Sequence, residues 1–99
     1  MTHYTIETLR NQYADAIVAV MDKYGADQVR VFGSVARGEA EQESDVDFLV
    51  HLRPKTTLLH LAALHRELGQ LLGCKVDIIS ERAINTHIRE GILKDAVLL

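Results

Sequence analysis

The sequence is poor in several features that would assign it to a special class of protein. It has 99 residues with a single cysteine, Cys74, and a single proline, Pro54. One cysteine cannot form an intrachain disulfide, and Cys74 is typical of a small buried thiol. No apolar run approaches the roughly 20 residues that a bilayer-spanning helix needs, and the first ten residues lack the pattern of a signal peptide. We therefore expect a cytoplasmic protein with no membrane partner.

Positive charge is also scarce. The 11 Lys and Arg residues against 14 Asp and Glu residues give a formal net charge of −3. This balance excludes the basic surface of a general nucleic-acid binder, so no direct contact with nucleic acid is expected. The chain is 47% hydrophobic and 25% charged, as in ordinary globular proteins. Its length predicts one domain, residues 1–99, so a second domain would have to come from elsewhere.

Apolar periodicity divides the chain into short elements. Three segments rich in β-branched residues predict strands at 28–33, 45–52 and 75–80. Helical spacing predicts four helices: from Thr5 as N-cap to Gly25, from Ser34 as cap to Gly38, from Thr56 or Thr57 through Leu72 to Gly73, and from Ser80 onward. The apolar face of the first helix is predicted to carry Ile6, Leu9, Tyr13, Ala16, Val20 and Tyr24, with Ile17 beside them. The final segment AVLL could be the end of a helix or an edge strand, and the pattern does not decide between them. The order predicts an α/β fold, a small mixed sheet flanked by helices.

Two aspartates begin the second strand. Asp45 and Asp47 are two residues apart, so they project from one face of the strand while Val46 and Phe48 serve the other. Two neighbouring negative charges are costly unless a cation neutralises them. If the second and third strands are neighbours, about 4.8 Å apart, Asp77 can join the pair. Three carboxylates suit Mg²⁺. Two such ions can bind the attacking and the leaving oxygen of a phosphoryl or nucleotidyl transfer.

A Gly-Ser pair at the end of the first strand supplies a phosphate site. Gly33 lets a phosphate approach the backbone, and the Ser34 hydroxyl and nearby N–H groups can donate to it at the start of a helix. Arg37, one turn later, can add a charged fork to phosphate oxygens. Triphosphate and metal would then meet between residues 33 and 47.

Each of these residues also has a purely structural interpretation. The aspartates could belong to a solvated strand edge beside an acidic loop, whose glutamates Glu39, Glu41 and Glu43 are typical of solvated surface. Ser34 could only cap a helix, and Arg37 could only form a surface ion pair. The five histidines are typical of surface positions or of positions adjoining a site. The leucines of residues 58–72 are typical of core, with a surplus that indicates a partner surface.

The segment GSVARGEAEQESDVDFLV resembles the signature of the minimal nucleotidyltransferase (MNT) family, within the DNA polymerase β-like superfamily. In that signature Gly-Ser is followed after ten residues by Asp-x-Asp. The leading helix, the strand KVDIIS and the closing IREGILKDAVLL are also similar to this family. The resemblance implies the polymerase β-like fold and transfer from ATP with Mg²⁺. It implies that Asp45 and Asp47 hold metal, and that Asp77 completes the site and assists deprotonation of the attacking hydroxyl.

The resemblance also implies a partner. MNT proteins of this size are commonly antitoxins of HEPN/MNT pairs, which transfer AMP from ATP to a tyrosine of a HEPN ribonuclease and silence it. A cognate HEPN toxin, bound in a hetero-oligomer, is therefore expected. Two alternatives stay open: an antitoxin that acts by binding alone, and a nucleotidyltransferase that modifies a small molecule, resembling aminoglycoside-modifying enzymes. A protein acceptor that brings its own surface fits a chain with no acceptor domain.

Overall fold

A four-stranded mixed sheet forms the centre of the protein. The computed structural model describes residues 4–41, 45–84 and 86–99; Glu43 of the predicted acidic loop lies outside them. The strands are β1 (Ala26–Phe32), β2 (Val46–Leu52), β3 (Val76–Ser80) and β4 (Val97–Leu98), in the order β3-β2-β1-β4. β2 and β3 are parallel, and the other two pairs are antiparallel. The predicted small mixed sheet is confirmed, and the final residues form an edge strand.

The first helical segment contains a wide turn that the periodicity did not predict. α1 (Ile6–Thr8) leads into a π-helix (Leu9–Tyr13) and then α2 (Ala14–Lys23). Thr5 is the N-cap, as predicted, and accepts a hydrogen bond from the Thr8 N–H. A π-turn takes up one extra residue, which rotates the following positions about the helix axis. Ala16, which was predicted on the apolar face, is therefore exposed, whereas Ile17, predicted beside that face, and Met21 are buried.

One face of the sheet carries the hydrophobic core. α2 and α4 (Leu58–Leu72) both contribute to it, and Thr57 caps α4 in a capping box with His60. Apolar side chains of β1 and β2 pack against the two helices, and all of the following are fully buried: Ile17, Met21, Val31, Phe48, Val50, Leu64 and Leu68. The predicted surplus of leucines in α4 is present, because Leu58 is 83% exposed and Leu59 is 82% exposed.

Two helix starts differ from the prediction. α3 (Gly33–Arg37) has Phe32, not Ser34, at its N-cap position, because Gly33 at φ +75° already turns the chain out of β1. Gly38 ends α3 as predicted. Ser80 caps only a short 3-10 helix (Glu81–Ala83), and α5 (Thr86–Asp95) is separate from it. At Ile84 the backbone is extended, so the two segments cannot form one continuous helix.

The opposite face of the sheet carries the polar and acidic side chains. By register, Phe32 pairs with Asp47 and Arg30 with Leu49, so these residues share one face. Leu49 is nevertheless fully buried there. α3 contacts β1, β2 and α5, and α5 also contacts β1. Among the described helices, none is long and apolar enough to cross a membrane.

Candidate active site

Asp47 and Asp77 lie side by side on neighbouring strands. The parallel register of β2 and β3 pairs Asp47 directly with Asp77, just as it pairs the buried Val46 with Val76. Because paired residues on adjacent strands point to the same face, both carboxylates project away from the core. The second and third strands are therefore neighbours, as the convergence of these two residues requires.

The environment of Asp47 raises the pKa of its carboxyl group from 3.8 to about 6. Partial burial is the largest cause, and the negative charges of Asp77 and Asp45 add to it. Protonated Asp47 also donates a hydrogen bond to Asp77, while Arg37 acts in the opposite direction. Burial and the two neighbouring carboxylates thus disfavour the charged form of Asp47, a cost that a bound cation would offset.

Asp45 has a cationic neighbour that sequence reasoning missed. Its Oδ2 lies 3.7 Å from Lys75 Nζ, and the Lys75 side chain is largely exposed. Asp45 comes immediately before the Val46–Val76 pair, so Lys75 faces it only because β2 and β3 are parallel neighbours. The signal was the residue order Lys75-Val76-Asp77 beside Asp45-Val46-Asp47, which has meaning only once the strands are aligned.

The three carboxylates do not form a finished metal cage. Within residues 4–41, 45–84 and 86–99, no three Asp, Glu, His or Cys side chains are arranged to hold a metal ion. The donor chemistry nevertheless fits Mg²⁺, which prefers carboxylate oxygens, keeps several waters and shares substrate phosphates. The roles of Asp45, Asp47 and Asp77 as metal ligands therefore stay a prediction.

Gly33 forms the wall of the site beside Asp47. It is in the left-handed region at φ +75°, and a Cβ built on it would overlap Asp47 Oδ2. A larger residue there would both strain the backbone and displace the carboxylate. Gly33 was predicted to allow close approach of a phosphate, and it also allows close approach of Asp47.

Ser34 and Arg37 follow in α3. Ser34 lies in the first turn, and its carbonyl accepts a hydrogen bond from the Glu39 N–H at 2.8 Å. Arg37 Nη1 lies 2.9 Å from Asp95 Oδ2, and Arg37 Nε lies 3.1 Å from Glu39 Oε2. These hydrogen bonds, first that to Asp95, raise the pKa of the guanidinium. The surface ion-pair interpretation of Arg37 thus holds in this structure, while phosphate binding by Ser34 and Arg37 stays a prediction.

His51 shares the aspartate face but belongs to another contact. Its Nδ1 lies 2.8 Å from Asp27 Oδ1. On the same face, Arg30 Nη1 lies 2.8 Å from Glu81 Oε1. These two pairs lie at the level of Leu49 and beyond it, so the acidic site is confined to the end of the β2–β3 ladder near Gly33.

Comparison with known proteins agrees with this geometry. Residues 16–99 match the nucleotidyltransferase domain family. The chain belongs to this family. It is 31% identical to protein adenylyltransferase MntA of Thermococcus cleftensis over 98% of both chains. It is 34% identical to MJ0435 of Methanocaldococcus jannaschii, assigned as a protein adenylyltransferase, over 88% of this chain and 94% of that one.

Solved structures give the same family and fold. A protein assigned as a minimal nucleotidyltransferase shares 45% identity and a TM-score of 0.84 over the full length of both chains. A toxin–antitoxin structure with AMP-PNP has a TM-score of 0.74 at 18% identity, over 87% of this chain and 71% of that one. A tri-AMPylated HEPN toxin of Shewanella oneidensis in complex with an MNT antitoxin gives 0.64 at 16%, over 85% and 66%. The last two show the fold alone.

The predicted minimal nucleotidyltransferase, its fold and its enzyme class are therefore confirmed: this chain is an AMP-transferring nucleotidyltransferase. The match includes α3 and the β2–β3 ladder, which build the acidic site, and α5, whose Asp95 pairs with Arg37.

Proposed function

We propose that this nucleotidyltransferase is the antitoxin of a HEPN ribonuclease toxin, and that it transfers AMP from ATP to a tyrosine of that toxin with Mg²⁺. The observation that carries the proposal is the Asp47–Asp77 pair beside Gly33. The names of the relatives support a protein acceptor. The AMPylated HEPN toxin, in complex with an antitoxin of the same fold as this chain, supports a HEPN toxin as the partner.

The position of each residue suggests its role in binding Mg²⁺ or the triphosphate. Asp45, Asp47 and Asp77 would hold Mg²⁺, in a pair of ions, and bound Mg²⁺ would neutralise the triphosphate charge and polarise its α-phosphate. Gly33 leaves room for the triphosphate, and Ser34 and Arg37 would donate hydrogen bonds to its oxygens. Arg37 would exchange its contacts with Glu39 and Asp95 for phosphate.

The reaction is a displacement at phosphorus. The tyrosine oxygen of the toxin forms a bond to the α-phosphorus of ATP, and the bond from that phosphorus to the bridging oxygen breaks, releasing pyrophosphate. Asp77 is exposed at the edge of the site and would take the tyrosine proton. The products are an O-adenylylated toxin, pyrophosphate and a proton.

Intact mass spectrometry of the cognate HEPN protein tests the proposal. The wild-type chain with ATP and Mg²⁺ should add one or more adenylyl groups, and Asp47→Asn and Asp77→Asn should lower the rate by about 10²-fold or more. Asp15→Asn, which changes an exposed aspartate in the first turn of α2, is the matched control and should act as the wild type.

Two results would decide against the proposal. A toxin that stays unmodified yet is bound and silenced, equally by the aspartate variants, would identify an antitoxin that acts by binding alone. Adenylyl transfer to a small molecule without transfer to the toxin would identify the other alternative.

A further inference from the structure

The charged residues at the start of the β2–β3 ladder form a block of two rows. Asp47 pairs with Asp77 in one row. Asp45 and Lys75 each lie two residues earlier in the chain, so they form the preceding row and point to the same face. The rows are about 7 Å apart, since each residue of a strand spans roughly 3.3 Å. The block therefore contains one cation and three carboxylates.

The backbone holds Asp45 and Lys75 next to each other. The Val46 N–H donates a hydrogen bond to the Lys75 carbonyl at 3.1 Å, which extends the ladder by one residue. Lys75 Nζ lies 3.7 Å from Asp45 Oδ2, with the Lys75 side chain 75% exposed and that of Asp45 32% exposed. The exposed ammonium group can therefore leave the carboxylate without any change in the backbone.

The Asp45 carboxylate is directed toward the start of β3. Burial, and then the negative charge of Asp45, raise the pKa of the Cys74 thiol, which adjoins Lys75 in the sequence. Asp47 shares a hydrogen bond with Asp77, whereas Asp45 acts on Asp47 through its charge. This arrangement agrees with the absence, within the described part of the chain, of three donor side chains placed to hold a metal ion.

Lys75 and a divalent cation would compete for the same carboxylate. Mg²⁺ binds oxygen ligands at about 2.1 Å, so it cannot share Asp45 Oδ2 with an ammonium group without strong repulsion between the two cations. Metal binding through Asp45 therefore costs the contact with Lys75. That cost is modest, because the ion pair is exposed to solvent.

We propose that Lys75 is a positioning residue, which holds Asp45 apart from the Asp47–Asp77 pair until a divalent cation replaces it. The inference rests on the proposed function, because it treats Asp45 as a ligand of the same metal. Asp47 and Asp77 supply the first carboxylate oxygens, and Asp45 joins them when it exchanges Lys75 for metal. Lys75 thereby raises the metal concentration at which the site fills.

Binding of Mn²⁺ to the metal-free chain tests this role. Mn²⁺ takes the same oxygen ligands as Mg²⁺, and electron paramagnetic resonance measures how much of it is free. Lys75→Met should tighten Mn²⁺ binding about two- to fivefold, the factor expected for loss of an exposed ion pair. Lys75→Arg keeps the pair and should bind as the wild type. Lys55→Met is the matched control, because Lys55 is exposed beyond the far end of β2, and it should also bind as the wild type.

A double-mutant cycle shows whether Lys75 acts through Asp45. In the Asp45→Asn background, Lys75→Met should leave Mn²⁺ affinity unchanged, because no carboxylate remains for the lysine to hold. An equal gain in both backgrounds would overturn the inference in favour of simple charge repulsion. Weaker Mn²⁺ binding by Lys75→Met would overturn it in favour of a lysine that supports the bound ligand.

AMP transfer to the HEPN protein separates this inference from the proposed function. Lys75→Met should reach half its maximal rate at a Mg²⁺ concentration about two- to fivefold lower than the wild type. A wild-type chain that transfers AMP, together with unchanged Mn²⁺ affinity and Mg²⁺ dependence in Lys75→Met, would overturn the role of Lys75 alone. A wild-type chain that neither binds Mn²⁺ nor transfers AMP would refute the proposed function, and the role of Lys75 with it.

Discussion

At the scale of the residue, alternation along β2 was sufficient to place Asp45 and Asp47 on the face opposite Val46 and Phe48. The observed burial agrees: Val46 and Phe48 are buried while both aspartates are partly exposed. The ion-pair partners of Asp45 and Arg37 were harder to predict. Lys75 and Asp95 reach Asp45 and Arg37 through tertiary contacts that local patterns do not encode.

The raised pKa of Asp47 predicts how stability depends on pH without metal. The folded chain binds the proton more tightly than the unfolded chain, whose carboxyl has its ordinary pKa of 3.8. Stability therefore falls as the pH rises from about 4 to about 6, and the loss persists above that range. Asp47→Asn removes this penalty. In metal-free buffer near pH 7.5 we expect a gain of about 1 kcal/mol after solvent screening, or roughly 4–8 °C in melting temperature.

Thermal melts of wild type, Asp47→Asn and Asp15→Asn across this pH range would measure the effect. The advantage of Asp47→Asn should shrink toward pH 4, where wild-type Asp47 is protonated. An Asp47→Asn protein less stable than the wild type throughout would show that the carboxylate contributes favourable contacts that outweigh its charge.

At the scale of the element, residues with a distinct backbone preference marked boundaries well. Thr5 and Thr57 cap helices, and Gly38 and Gly73 end helices in the left-handed conformation. The failures occurred where the backbone departs from a regular α-helix. The π-turn at Leu9–Tyr13 altered the buried face of α2, and the extended backbone at Ile84 separated the 3-10 helix from α5.

A glycine lies at each end of α3, and replacing each by alanine should lower the free energy of unfolding by a different amount. Gly33 and Gly38 have nearly equal φ angles, +75° and +74°, so alanine strains both backbones by about 1 kcal/mol. A Cβ on Gly38 meets open space, whereas one on Gly33 overlaps Asp47. Urea unfolding should therefore show a loss of about 1 kcal/mol for Gly38→Ala and about 2–3 kcal/mol for Gly33→Ala.

The same pair of variants should separate in activity. Gly33→Ala displaces a carboxylate of the candidate site and should abolish AMP transfer, while Gly38→Ala should retain it when assayed well below its melting temperature. Equal unfolding costs and equal activities would mean that Asp47 adjusts freely to the added methyl group.

At the scale of the whole molecule, the order of elements predicted the fold class but not which strands are neighbours. Asp47 and Asp77 are 30 residues apart along the chain, and the parallel pairing of β2 with β3 brings them together. The adjacency of the second and third strands was assumed from the family resemblance, since hydrophobic patterns alone permit several arrangements of short strands. The position of α5 beside α3 was also not predicted, because it depends on how the chain returns to β1 after β3.

Because the candidate site joins β1, β2, β3 and α3, nucleotide binding should stabilise the whole chain and should depend on Mg²⁺. At a concentration 100 times its dissociation constant, a ligand adds about 2.7 kcal/mol to the free energy of unfolding. Thermal melts with Mg–ATP should thus rise by roughly 10 °C or more in the wild type and in Asp15→Asn. ATP with a chelator should give a much smaller shift, because triphosphate then meets the uncompensated charges of Asp45, Asp47 and Asp77.

Asp77→Asn removes one carboxylate, so it should lose most of the Mg²⁺-dependent part of the shift while folding normally. Equal ATP stabilisation with and without Mg²⁺ in the wild type would show that these carboxylates do not bind the nucleotide through metal.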